Sequence, residues 1–255
     1  MATEERASAA FEADAYADDC SVCGLRQQFI RDQLAIRESY RCCSCRAILR
    51  EREQARVLVR FFGRGKYACL AGLCRDPLFR TIMIYEPGTS GAFRRYLQDL
   101  PNYQQSSFYA ENERHAATAQ VPHESLEKLT FSPERFDLVL SSDILEHVRR
   151  PLLAIQEMYR ILRPGGVNLF TVPLQEPLRT KTVWRVDTSG ETDEFLLPKV
   201  YHGNGRGGRS LVYADYGSDL LDMLRGVGYV TGFVRPNTAS TVVNRIVTVM
   251  AIRIC

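Results

Sequence analysis

No apolar run in this chain approaches the ~20 residues needed to cross a bilayer, which excludes a helical membrane span. Charge of one sign is also scarce. A net +3 over 255 residues is too weak to imply nucleic-acid binding by itself. There is no internal repeat and no low-complexity tract. Met1 to Asp19 is small and acidic, with no basic start followed by an apolar stretch, so it does not read as a secretory leader. The chain therefore reads as cytosolic. Tryptophan is nearly missing, with Trp184 standing alone. What remains is an ordinary globular composition, 45% hydrophobic and 25% charged. The length allows one medium domain plus a small one, with a core that needs no disulfides.

Charge is unevenly spread. Glu4, Glu5, Glu12, Asp14, Asp18 and Asp19 make an acidic tail of residues 1–19. Arg41, Arg46, Arg50, Arg52, Arg56, Arg60 and Arg64 then make a basic stretch. Such a run is read first as a solvated helix face and second as an anion-binding surface. Eight cysteines are present, and four of them fall into a pattern. Cys20 and Cys23 form one C-x-x-C pair, Cys42 and Cys45 another, with 18 residues between, a zinc-site spacing. Two tight turns, each gripping with two thiolates, complete a tetrahedron around Zn2+. With all four positions cysteine, that zinc is structural, and its binding would fold residues 20–46, which have almost no core. Cys43 is a competing ligand, and four thiols without metal are the alternative. Cys69, Cys74 and Cys255 read as small hydrophobes.

Past this knuckle, residues 47–80 read as connecting helices, the first spanning Ala47 to Phe62 and the second Lys66 to Leu73. From Thr81 onward the pattern alternates. Thr81 to Tyr85, Phe136 to Leu140 and Val167 to Val172 read as strands. Ala92 to Leu100 and Pro151 to Leu162 read as helices, the latter with apolar Leu152, Leu153, Ile155, Met158, Ile161 and Leu162. Strand, helix, strand at this spacing predicts parallel βαβ units, hence an α/β domain over 81–255. Residues 174–216 are too long and polar for a plain connection and read as a lid or substrate-binding insertion. A helix over Gly217 to Gly226 and strands at Tyr229 to Val234 and Arg245 to Ile254 close the domain.

Ile82 to Tyr85, then Glu86-Pro87-Gly88-Thr89-Ser90-Gly91, has the form strand, acid, glycine turn, helix. Such a turn lets a ligand's polar groups approach backbone N–H groups. Downstream, Phe136-Asp137-Leu138-Val139-Leu140 leads to Leu145-Glu146-His147-Val148, a helix, and Leu162-Arg163-Pro164-Gly165-Gly166. This run resembles the class I S-adenosylmethionine-dependent methyltransferases, well over Thr81 to Pro173 and more loosely to the C-terminus. It also resembles a bacterial subgroup with an N-terminal four-cysteine segment, often tied to carbohydrate or natural-product pathways. There a Y-H-G segment, here Tyr201-His202-Gly203, and a G-x-D-L-L helix, here starting at Gly217, follow the fifth strand.

The resemblance implies a Rossmann-like seven-stranded sheet, last strand antiparallel, with S-adenosylmethionine at the carboxyl ends of the first strands. It places Glu86, Gly88, Ser90 and Gly91 in the first cofactor loop. Ser141 and Asp143 fall in the loop after the fourth strand, and Glu124, Ser125 and Leu126, after His123, in the adenine loop. Tyr109 and Glu111 lie where the ribose-binding acid is expected, with Glu111 displaced. The glycine set is partial, and Ser125 takes the usual adenine-loop acid's place unless Glu124 serves.

Methyl transfer from a sulfonium is an in-line displacement that asks the protein mainly for alignment and exclusion of water. A hydroxyl acceptor gains from a base, for which His147 and His202 are the candidates. Either histidine could instead cap a backbone group. Tyr201, Tyr213 and Asp215 are candidate lining residues, and Trp184 either packs the lid or stacks on substrate. Three readings follow. One is O-methylation of a small molecule, a sugar or secondary metabolite; another is methylation of RNA or protein held by the zinc module; the third is a repurposed, non-catalytic fold.

Overall fold

The computed structural model describes residues 14–88, 91–118, 120–203, 207–235 and 246–254. They fall into two compact units, one of residues 14–81, 91–101, 234–235 and 246–248, the other of 82–88, 102–118, 120–203, 207–233 and 249–254.

In the first unit, β1 (Ala15–Asp19) pairs antiparallel with β2 (Arg26–Ile30). The acidic tail thus ends in an ordered strand. Ala15–Asp19 escapes a sequence reading because its partner side is supplied from ten residues away. The Tyr16 ring lies 5.5 Å from Phe29 and 5.4 Å from Tyr40. Against them packs α1 (Leu49–Gly63), whose Leu49, Ala55 and Leu58 are fully buried. Arg52 of the same helix is also fully buried. Its guanidinium sits 3.5 Å from the Phe29 ring centre and donates to the Tyr16 hydroxyl at 2.5 Å. A cation on an aromatic face keeps part of the stabilisation it loses with water. Arg56 spans the buried Glu53 carboxylate, at 3.0 Å, and Asp18, at 2.8 Å, while Arg50 pairs with Glu38 at 3.0 Å. Within the arginine run Arg52 is thus buried and Arg50 and Arg56 are paired and half-buried, whereas Arg46, Arg60 and Arg64 are exposed. The helices that follow are shorter than their patterns suggest: α2 is Leu70–Leu73 and α3 is Arg94–Leu97.

The second unit is built on β3 (Ile84–Pro87), β4 (Tyr103–Ser106), β5 (Phe136–Ser142) and β6 (Leu162–Thr171). Short β7 (Val183–Trp184), β8 (Val186–Asp187), β9 (Glu194–Phe195), β10 (Tyr201–Gly203), β11 (Arg209–Leu211) and β12 (Ala214–Asp215) follow. Then come β13 (Tyr229–Val234) and β14 (Thr248–Arg253). The main sheet runs β13-β14-β6-β5-β3-β4. Its β4–β3, β3–β5 and β5–β6 pairs are parallel and β14 lies antiparallel to β6. Among the described residues the strand count is six, not the expected seven. Where the seventh would flank β4 there is a single parallel bridge, Ser107 to His123. Pro122, which has no N–H to give a ladder, immediately precedes it.

Helix α4 (Pro151–Ile161) starts on a proline at its first turn, where no N–H is needed. Ala154, Ile155, Met158 and Ile161 form its buried stripe, and the apolar Leu152 and Leu153 face outward. Its last carbonyls are met from β14: Arg253 donates to the oxygens of Tyr159, Arg160 and Leu162 at 3.3, 3.3 and 2.6 Å, and to Glu134 at 2.7 Å. A cation at a helix C-terminus also opposes the helix dipole. The insertion is ordered as three small antiparallel pairs, β7–β12, β8–β9 and β10–β11. Helix α5 (Leu220–Val227) buries Leu220 and Leu224.

Ile155 is fully enclosed by the core cluster around Tyr85, Phe170 and Leu224. Replacing it with alanine should cost about 2–5 kcal/mol of unfolding free energy, read by urea denaturation. The outward Leu152→Ala should cost less than about 1 kcal/mol in the same assay.

Candidate functional site

The turn after β1 carries Cys20 and Cys23, and residues 42–45 carry the second pair. The two turns are built alike. Cys20 N–H donates to Leu25 O at 2.9 Å and Gly24 N–H to Cys20 O at 2.7 Å. Cys42 N–H donates to Ala47 O at 2.8 Å and Arg46 N–H to Cys42 O at 3.0 Å. Each turn closes on a left-handed residue, Gly24 at φ +85 and Arg46 at φ +67. A side chain at Gly24 would begin 3.1 Å from the Cys69 sulfur. The first turn is anchored to α2 by Leu70 N–H on Ser21 O and Ala71 N–H on Val22 O, 2.8 and 2.9 Å.

The turns bring the four sulfurs within 4.8 Å of one another. Cys20 Sγ lies 3.6 Å from Cys45 Sγ, and Cys23 Sγ 3.6 Å from Cys42 Sγ. A tetrahedral zinc with Zn–S bonds of about 2.3 Å requires sulfurs about 3.7–3.8 Å apart, so the donor set fits that ion. The Cys20 thiol is pulled down to about 5, chiefly by its hydrogen bond with Cys45, whose own thiol the same bond pushes up. Burial pushes Cys23 up to about 11. Without a cation, the four sulfurs do not all ionise together. Cys43 is exposed and outside the group, its N–H donating to Gln27 at 3.1 Å. Cys69 is half-buried and Cys74 buried, and Cys255 lies outside the described residues.

In the second unit, β3 ends in Glu86, buried, with its carboxylate accepting from the Tyr103 hydroxyl at 2.5 Å. Gly88 follows at φ +101, its N–H on Ser106 O at 2.8 Å. A Cβ there would stand 3.1 Å from Ile144 Cδ1. Ile144 belongs to the turn leaving β5, so the turns after Glu86 and after Ser141 lie side by side at one edge of the sheet. Ser141 is buried in β5 opposite Phe170. Asp143, at φ +52, donates its N–H to Thr171 O at 3.1 Å and accepts the Thr171 hydroxyl at 2.9 Å.

Other expected cofactor residues have internal duties. Glu124 is buried and its carboxylate accepts the Thr130 N–H at 3.0 Å and the Thr130 hydroxyl. Ser125 accepts the Glu127 N–H at 3.4 Å, and Leu126 packs on the core. Tyr109 is buried with its N–H on His123 Nδ1 at 3.1 Å. Glu111 opens a turn of 3-10 helix, Glu111–Ala116. Gly91, at φ +129, belongs to the first unit, beside Ala92, whose N–H donates to Glu51 at 3.1 Å. Ser90 lies outside the described residues.

The two candidate bases meet. His147 follows β5 and His202 sits on β10, with ring centres 5.0 Å apart and planes at 90°. Between them is a residue the sequence reading passed over. Glu146 is 1% exposed, with Oε1 3.7 Å from His147 Nε2 and 3.8 Å from His202 Nδ1. Neither of its carboxylate oxygens has a hydrogen-bond partner, and burial raises its pKa. His147 Nδ1 is 2.7 Å from Leu211 O. A carbonyl only accepts, so Nδ1 carries a proton and Nε2 is the ring nitrogen that faces the carboxylate. The insertion is held over this group by Tyr213 N–H on Glu146 O at 2.8 Å and by Arg149 on Asp193 at 2.6 Å. Arg185 pairs with Asp215 at 2.6 Å, which commits that carboxylate to the insertion itself, and Trp184 is partly exposed on β7. The signal for Glu146 was present in the sequence, as an acid beside a histidine just past a buried strand.

An open sheet with parallel β4-β3-β5-β6, and turns meeting at the carboxyl ends of β3 and β5, is the class of fold that seats a nucleoside-bearing ligand. The family model for the methyltransferase domain matches residues 91–170. The chain is thus similar to methyltransferase domains over that stretch, about a third of its length. A malonyl-[acyl-carrier protein] O-methyltransferase of Enterobacter lignolyticus is 33% identical over 89 residues, 34% of this chain and 36% of that protein. The match thus spans about a third of that relative's length. An S-adenosylmethionine-dependent methyltransferase from Mesorhizobium loti is similar at 18% identity and TM-score 0.42, over 68% of this chain and 91% of that one. A putative one from Listeria monocytogenes is similar at 15% and 0.41, over 68% and 92%. No helix among the described residues is long and apolar enough to cross a membrane.

The paired turns make the same left-handed demand at their fifth residue, so substitutions there should act in opposite directions. Gly24→Ala should lose about 1–3 kcal/mol through φ and the Cys69 contact. Arg46→Gly should be neutral or gain up to about 1 kcal/mol. Thermal melts of the two variants against the parent check the sign of each.

Proposed function

We propose that the chain methylates an oxygen of a small-molecule acceptor, a sugar or secondary metabolite, using S-adenosylmethionine. The observation that carries this reading is the side-by-side placement of the turns at Glu86–Gly88 and Ser141–Ile144, one step from the Glu146, His147 and His202 group. When bound, S-adenosylmethionine supplies a methyl group on a sulfonium, which leaves without acid assistance. Gly88 keeps the first turn open for close backbone approach, and Asp143 and Ser141 shape the second. His202, half-exposed on the insertion, accepts the acceptor's hydroxyl proton. His147, fixed by Leu211 O, and the buried Glu146 orient that end of the site. The insertion 174–216 covers the acceptor and excludes water. Methyl transfer to oxygen, named for the Enterobacter relative, is chemistry of the same kind.

A small acceptor is favoured over RNA because Arg50, Arg52 and Arg56 are spent on Glu38, Tyr16, Glu53 and Asp18. Cys20, Cys23, Cys42 and Cys45 would hold one structural zinc, joining β1–β2 to the segment that leads into α1.

Two measurements test this. S-adenosylhomocysteine should bind at micromolar Kd by calorimetry, and Gly88→Val, with a side chain forced onto Ile144, should weaken it at least about tenfold, or 1.4 kcal/mol. No heat at millimolar ligand sinks the methyltransferase reading and favours a repurposed fold. Elemental analysis should return one zinc per freshly purified chain, and its removal by chelator should lower the thermal midpoint of the first unit.

A further inference from the structure

We infer that Glu146, His147 and His202 form a binding site for a first-row divalent cation, separate from the cysteine group. Their ligand atoms lie within 4.8 Å of one another. Cation bonds of about 2.0–2.2 Å to imidazole nitrogen and carboxylate oxygen put neighbouring ligand atoms about 3–3.5 Å apart. The observed 3.7 and 3.8 Å from Glu146 Oε1 to the two rings need closing by only a few tenths of an ångström. Four features of the group point the same way.

The Glu146 carboxylate is buried with no hydrogen-bond partner at either oxygen, an arrangement that is costly unless a cation or proton completes it. His147 Nε2 faces that carboxylate at 3.7 Å, its other nitrogen being bound to Leu211 O at 2.7 Å. A backbone carbonyl on the far nitrogen is the arrangement that orients metal-binding histidines. Finally, the three side chains come from two elements, the turn after β5 and strand β10, and β10 is paired antiparallel with β11. Two imidazoles and one carboxylate suit Mn2+, Fe2+, Co2+ or Zn2+ better than Ca2+ or Mg2+. Three protein ligands leave coordination positions open, unlike the closed four-sulfur set. Those positions would take an oxygen of the acceptor, and with the cation bound it is the cation, not His202, that would favour loss of the acceptor's proton. That role alone rests on the methyltransferase reading, whereas the cation site rests on the geometry of the three residues.

The probe is Mn2+ alone, added to the full chain and followed by the electron paramagnetic resonance signal of the free ion. Thiolate groups disfavour Mn2+, so the cysteine group does not report here. The wild-type chain should bind one Mn2+ in the micromolar range. His202→Ala, in a partly exposed position, should weaken binding at least about 30-fold, within the range for loss of a metal-site partner. Glu146→Gln should do the same, with near-ultraviolet circular dichroism showing that both variants are folded. No binding up to millimolar Mn2+, or binding unchanged in folded His202→Ala and Glu146→Gln, overturns the inference. Cofactor affinity is measured on the wild-type chain without Mn2+, so the cation site and the methyltransferase reading fail independently.

Discussion

Parallel pairing of β3 with β5 decides where the rest of the second unit can do chemistry. Parallel neighbours end at the same edge, so the turns leaving Pro87 and Ser142 must lie next to each other. Both strands are buried along nearly their whole length, and a one-residue slip would turn Tyr85 and Val139 away from the cluster they share with Phe136 and Ile155. The register is thus fixed by the core, and the core thereby fixes the distance between the two turns. Ile144 on Gly88 is the point where that distance is read out. Helix α4, pinned by its apolar stripe, then returns the chain to β6 on the other side of β5.

Two groups of ligating side chains are held under contrasting conditions. The four sulfurs are gathered by two nearly identical turns whose hydrogen bonds are local, so their geometry depends on a few residues each. Glu146, His147 and His202 are gathered across some fifty residues of sequence, through the short strand pairings of the insertion. The first group is closed, and suits holding the chain together. The second is open on one side and includes a carboxylate that burial disfavours as an anion. A group kept at such a cost in a turn beside a cofactor-type loop is more readily explained by chemistry than by stability.

The sequence is most readable where structure is set locally. Strand β5, helix α4 and strand β13 stand out because their periodicities are strong and their ends are marked by Pro151, Gly165 and Gly228. The cysteine pairs are readable because spacing alone carries the geometry. What stays hidden is set by partners far along the chain. Arg52 belongs to an apparently solvated charged run, and only Tyr16 and Phe29, supplied by β1 and β2, make its burial tolerable. Ala15–Asp19 looks like a tail until Arg26–Ile30 is laid beside it. Among the described residues the seventh strand is reduced to one bridge at His123, just after Pro122, which has no N–H for a ladder. Glu146 was overlooked because its environment is made by residues 201–213, which no local pattern ties to it.

Arg253 meets three carbonyls at the end of α4 and one carboxylate before β5. Those acceptors are made some ninety to one hundred and twenty residues earlier in synthesis. During translation α4 must therefore wait with its last turn fraying and the edge of β6 unpaired until β14 leaves the ribosome. The second unit acquires its cooperativity late, and its nascent form offers an open strand edge to whatever chaperone or neighbour arrives first.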